Sequence, residues 1–235
     1  MLADLKETVW KANLELAKSG LIILTFGNVS GIDRRKGIVA IKPSGVSYDA
    51  MKADDIVLVD LEGNVVEGWL NPSSDTPTHV EIYKAFPQVG GIAHAHSPYA
   101  SMFAQARREI PCLGTTHADA FHGPVPLTRI LVESEVAASY EWNTGKVIVE
   151  RFAGLDPLTL PAVLVAGHGP FAWGPTPAAA VETALILELT AQMAFGSLAL
   201  DPRLPPLDAC IQDKHFSRKH GPDAYYGQKK ENQND

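Results

Sequence analysis

Short β-rich runs joined by turn-like segments constrain this chain more than any other feature. Runs 21–24, 38–42, 56–61 and 65–66 are separated by stretches bearing glycine and aspartate, and Glu62-Gly63-Asn64 reads as a hairpin turn between the last two. Parallel neighbours need a long, usually helical crossover, whereas antiparallel neighbours are joined by turns. The spacing therefore predicts a mixed or antiparallel sheet. Helical signals surround it. Leu2, Leu5, Val9, Ala12 and Leu16 recur at helical spacing before Gly20. Thr76-Pro77 and Thr176-Pro177 each pair a capping threonine with a proline suited to a first helical turn, and the second opens the longest helix, to about Leu200.

Further along, 91–96 reads as a buried strand, 98–106 and 133–142 as helices, 146–152 as an alternating strand and 162–166 as a continuous apolar strand. Prolines in 201–206 lead to a last helix ending near His220-Gly221-Pro222. No repeat and no break in composition divides the chain. The expectation is one α/β domain over 1–228, a sheet covered by helices, with a polar tail at 229–235 that frays.

Bulk properties exclude some partners. A formal charge of −7 lacks the basic excess of a nucleic-acid binder, although a few donors in a cleft suffice for an anionic small molecule. Glu182 and Glu188 interrupt the longest apolar stretch, 178–200, so no membrane span is expected. Cys112 and Cys210 form no CxxC pair and no secretory leader is evident, so the reading is a cytoplasmic protein with reduced thiols.

The strongest local signal is His94-Ala95-His96 at a strand end, where side chains at i and i+2 share a face and two imidazoles can converge on one ion. Alone, that pattern serves packing as readily as ligation. His168, between Gly167 and Gly169 after an apolar strand, is a third candidate; in isolation it equally suits a hydrogen-bonded turn. A catalytic zinc takes about three protein ligands and an open position, which the combination supplies. Ser73-Ser74-Asp75 precedes a helix start, a place that favours an anion, while Asp75 suits a plain N-cap as well. Gly27-Asn28-Val29-Ser30 and Lys42-Pro43-Ser44-Gly45 are either anion cradles or ordinary turns, and neither is a Walker loop.

These segments occur in the order found in class II sugar-phosphate aldolases and epimerases. The agreement continues through Gly114-Thr115-Thr116-His117-Ala118-Asp119, Tyr140-Glu141-Trp142, Lys214-His215, Arg218-Lys219-His220-Gly221 and Ala224-Tyr225-Tyr226-Gly227-Gln228. Over nearly its whole length the chain resembles the L-ribulose-5-phosphate 4-epimerases of that family. The resemblance implies a three-layer class II aldolase-like fold and Zn2+ (or Mn2+ or Co2+) on His94, His96 and His168, with Asp75 beside the metal where the aldolases carry a glutamate base. It implies acid/base roles for Asp119 and Tyr226, and substrate or phosphate contacts from Gly27, Asn28, Ser44, Gly45, Ser73 and Ser74, to which the Lys42 cation adds. Thr115, Glu141 and His215 would border the same cleft.

The substrate would be a phosphorylated ketopentose, and the assembly a homotetramer with sites between subunits. Ala166-Gly167 departs from the His-Ser of the nearest epimerases, and 229–235 extends past their usual end. Two alternatives stand beside the epimerase: a fuculose-1-phosphate type of aldolase, and a non-catalytic scaffold of the adducin-head kind. Asp75 and the Tyr-Tyr-Gly-Gln ending favour the epimerase.

Overall fold

The computed structural model describes residues 2–227, so the expected frayed tail lies outside the described residues. Among them, seven strands form one sheet: β1 Asn28–Asp33, β2 Ile38–Ile41, β3 Val57–Asp60, β4 Val65–Glu67, β5 Gly91–His94, β6 Ala162–Leu164 and β7 Pro170–Gly174. Their order is β4-β3-β2-β1-β5-β7-β6 and each neighbouring pair is antiparallel, so the sheet takes the antiparallel form of the two expected. Gly63, at φ 87°, turns the β3–β4 hairpin where Glu62-Gly63-Asn64 predicted it.

Helices α1 Leu2–Lys18, α2 Thr76–Ala85, α3 Pro98–Gln105, α4 Thr115–Ala118, α5 Glu133–Arg151, α6 Pro177–Leu200 and α7 Ala209–His220 complete the domain. Alternation along β1 assigns the layers. Ser30 points to His79 and Tyr83 of α2, while Gly31 faces Leu5 and Val9 of α1 and Pro177 of α6. The sheet thus lies between α1 and α6 on one face and α2 and α5 on the other. By length and composition α6 could cross a membrane, but it packs along β5 and β7 and buries Leu187, Ala191 and Ala194. Its apolar character extends beyond that core face, to exposed Leu185, Leu189 and Met193.

Three expectations are corrected. Run 21–24 is no strand: Ile23 and Phe26 close a tight turn around Leu24 at φ 55°, and the strand begins at Asn28 instead. Residues 146–152 are not a strand but the end of α5, one helix kinked at Ser139. The segment is helical because its buried face, with Thr144, Val147 and Ile148 at helical spacing, packs against α2. Strand β7 and the short helix α4 were not anticipated. Finally, Asp75 rather than Thr76 is the N-cap residue of α2, and Thr76 bonds back to the Ser73 carbonyl.

Candidate active site

The centre of the sheet carries His94 at the end of β5, with its ring buried against Phe171 of β7 at 4.1 Å between centroids. The Nδ1–H of His94 donates to the Pro170 carbonyl at 2.8 Å, so in the neutral ring Nε2 is the lone-pair nitrogen. That atom lies 3.1 Å from His96 Nε2, and His96 Nε2 lies 3.0 Å from His168 Nε2. The three rings meet edge to face, with centroids 4.9–5.0 Å apart.

Glycines permit this approach. A Cβ on Gly27, at φ 110°, would stand 2.8 Å from the His94 carbonyl, and one on Gly169 would stand 3.1 Å from the Ala95 carbonyl. Burial pushes His168 down to about 4 and also lowers His96, so both rings stay neutral and keep lone pairs to offer. Imidazole nitrogens 3.0–3.1 Å apart either share N–H···N hydrogen bonds or turn their lone pairs on a common cation. The donor set therefore fits a divalent metal, with imidazole favouring zinc-like ions.

Asp75 stands beside this triangle, its Oδ2 4.0 Å from His94 Nε2. As N-cap residue its side chain makes no cap bond; it accepts from the Asn28 amide at 2.7 Å. Burial pushes its carboxyl up, but nearby His94 and His79 and the Asn28 hydrogen bond outweigh that and leave it below its ordinary value. Asn28 also donates to Ser73 Oγ at 3.0 Å, while its own Oδ1 is buried with no partner. Backbone bonds from Ser44 to Asn71 and from Ser73 to Lys42 tie the serine loops into one wall. Lys42 is 2% exposed, and among the described residues its ammonium reaches the Pro43 carbonyl and the face of Tyr48. Burial lowers it to about 8, the mark of a desolvated cation lacking an anion.

The three histidines, Asp75, Asn28, Lys42, Ser44 and Ser73 line one cavity of about 710 Å³, with Gly27, Gly45, Ser74 and Glu141. Sequence reasoning missed Thr25, Phe26, Gln105 and Tyr140 on its wall. Tyr140 hydroxyl lies 3.2 Å from His168 Nδ1, brought there by the kink at Ser139. The matching Tyr140-Glu141-Trp142 segment holds the signal for it, but the resemblance assigns only Glu141 to the cleft.

Four expected residues do not line this cavity within their own chain: Thr115, Asp119, His215 and Tyr226. Asp119, the C-cap residue of α4, forms a separate cluster with α7. Arg218 grips its carboxylate with two bonds of 3.0 and 2.7 Å, and His215 Nδ1 lies 3.0 Å away. Burial pushes the Asp119 carboxyl up, but Arg218, His215 and Lys219 hold it below the usual range, so it is an ionised acceptor. Tyr226 is exposed, and its ring carries the Arg218 guanidinium at 5.2 Å and the Lys219 ammonium at 4.4 Å.

Comparison with known proteins matches this architecture. An L-fuculose 1-phosphate aldolase structure is 27% identical over 92% of this chain and 95% of its own, with a TM-score of 0.77. L-fuculose 1-phosphate aldolase from Glaciozyma antarctica aligns at 22% identity and TM-score 0.74, covering 92% and 81% of the two chains. The enzyme of that name from Thermus thermophilus aligns at 24% and 0.63, covering 86% and 98%. These last two likenesses are ones of fold. Residues 7–195 match the family described as Class II Aldolase and Adducin N-terminal domain, and they contain the sheet, the three convergent histidines and the serine loops. On that match, which takes in most of the chain, this protein is a member of the class II aldolase and adducin family.

Proposed function

We propose that the chain is a metal-dependent sugar-phosphate enzyme that interconverts L-ribulose 5-phosphate and D-xylulose 5-phosphate by breaking and remaking C3–C4. The observation that carries this reading is the trio of convergent imidazole nitrogens beside a cavity walled by small hydroxyl donors and a buried lysine that has no anionic partner among the described residues. A scaffold has no use for that set. The short carboxylate of Asp75, bonded to Asn28, favours the epimerase over an aldolase whose longer glutamate acts as base.

His94, His96 and His168 would hold a divalent ion, which would supply Lewis acidity to offset negative charge on substrate oxygens. The other work falls to side chains. Ser44, Gly45, Ser73, Ser74 and Lys42 hold the phosphate, so the aldehyde fragment stays anchored while its carbonyl turns over. Asn28 keeps Asp75 oriented beside the ligands. Asp119 takes up the C4 hydroxyl proton as the C3–C4 bond breaks, its electron pair moving toward the C2 carbonyl. When the bond re-forms on the opposite face of the aldehyde, Tyr226 returns a proton to the C4 oxygen.

The positions of Thr115, Asp119, His215 and Tyr226 outside their own chain's cavity support a homotetramer in which a neighbour completes each site. Exposed Leu185, Leu189 and Met193 along α6 offer apolar surface for such contacts. Cytoplasmic residence accords with two free cysteines.

The test is incubation with zinc and L-ribulose 5-phosphate, following D-xylulose 5-phosphate by a coupled assay with and without chelator. Accumulating dihydroxyacetone would identify an aldolase instead. No conversion with metal loaded would sink the reading.

A further inference from the structure

Helix α6 is apolar for most of its length, yet Glu188 faces the start of α3 from it. Its two carboxylate oxygens accept the backbone N–H groups of Tyr99 at 2.8 Å and Ala100 at 2.9 Å. These are the donors an N-cap side chain ordinarily satisfies. Ser97 holds the N-cap position but makes no cap bond, and Pro98 has no N–H. Glu188 thus replaces the missing local cap, and its negative charge suits the positive end of the helix.

What α3 connects gives that cap a functional meaning. The helix starts two residues after His96, and near its far end the Ala104 carbonyl accepts the Gly167 N–H at 2.9 Å, next to His168. A Cβ on Gly169 would meet Ser101 Oγ of α3 at 3.5 Å and His96 Cδ2 at 3.3 Å, so the second loop packs on both. Helix α3 is therefore a strut between the two segments that carry the three imidazoles. Glu188 fixes the strut to α6, behind the sheet.

We propose that Glu188 is a positioning residue for the three-histidine site, holding the His94 and His96 segment in register with the His168 loop through the N-terminus of α3. The inference rests on the reading that the three imidazoles hold a divalent ion. Glu188→Gln replaces one acceptor by an NH2 group that faces a backbone N–H, and Glu188→Asp retracts the carboxylate by one methylene.

Zinc affinity of the full chain, measured by competition with a chromophoric chelator, is the readout, with the melting temperature of the metal-free protein recorded alongside. Glu188→Gln should bind zinc about 10-fold more weakly, the low end of what loss of a group bonded directly to a metal ligand does, with Glu188→Asp between it and wild type. Ile56→Ala, in a separate buried cluster, should lower the melting temperature and leave zinc affinity unchanged. Wild-type affinity in Glu188→Gln would overturn the inference, as would an equal loss of affinity in Ile56→Ala. Should Glu188→Gln fail to fold, unchanged affinity in Glu188→Asp would overturn it just as well. A wild-type chain that takes up no zinc would defeat the metal reading first, before Glu188 came into question.

Discussion

At the scale of single residues, the site sets neutral nitrogens against one poorly solvated cation. His96→Ala removes the ring that lies about 3 Å from each of the other two, so metal and activity should be lost together; metal content after dialysis and the epimerase assay check this. Lys42 behaves differently. Its folded pKa of about 8 lies below the ordinary lysine value, so below about pH 8 the fold carries a buried charge at a cost. That cost disappears as pH rises from about 8 toward ~10.4, and stability from this residue rises over the same window. Phosphate binding runs the opposite way, because only the protonated form attracts the substrate. KM for the sugar phosphate should therefore climb as pH passes about 8. In Lys42→Met, KM should be high throughout with kcat little altered and that pH dependence gone. A wild-type KM in Lys42→Met would remove lysine from the phosphate site.

Among the elements, α2 and α5 carry opposite sides of the cavity: α2 begins just after the Ser73 and Ser74 loop, and α5 supplies Tyr140 and Glu141. They touch where Gly145 lies against α2, since a Cβ there would sit 2.6 Å from Glu81 Cβ. Gly145→Ala should force the helices apart at a cost of about 1–3 kcal/mol. For a chain of this size that lowers the melting temperature by about 2–4 °C per kcal/mol. Calorimetry measures the shift, and an unchanged melting temperature would mean that the helices separate freely.

For the molecule as a whole, metal binding and assembly are the two levers. Zinc at 100 times its dissociation constant should stabilise the fold by about 2.7 kcal/mol, visible as a higher melting temperature that chelation reverses. If neighbours complete each other's sites, chains of His96→Ala and Tyr226→Phe refolded together should regain activity. Random assembly in a ring leaves about a quarter of the sites with both groups intact. No recovery in the mixture would assign both groups to one chain.

Read alone, the sequence determined a turn-connected sheet, its helical cover and the paired placement of His94 and His96, because turn signals, apolar periodicity and the His-x-His spacing are local properties; His168 joined that pair only through the family resemblance. Only the tertiary structure decided the rest. The β-branched end of α5 is helical because it packs on α2, and 21–24 folds into a turn because β1 begins later, at Asn28, to pair with β5. Asp75 turns from its capping position to Asn28, Tyr140 reaches His168 through a kink, and Glu188 caps a helix 89 residues away in sequence. Each of these depends on a partner distant along the chain, and a linear pattern of propensities carries no information about which distant partner arrives.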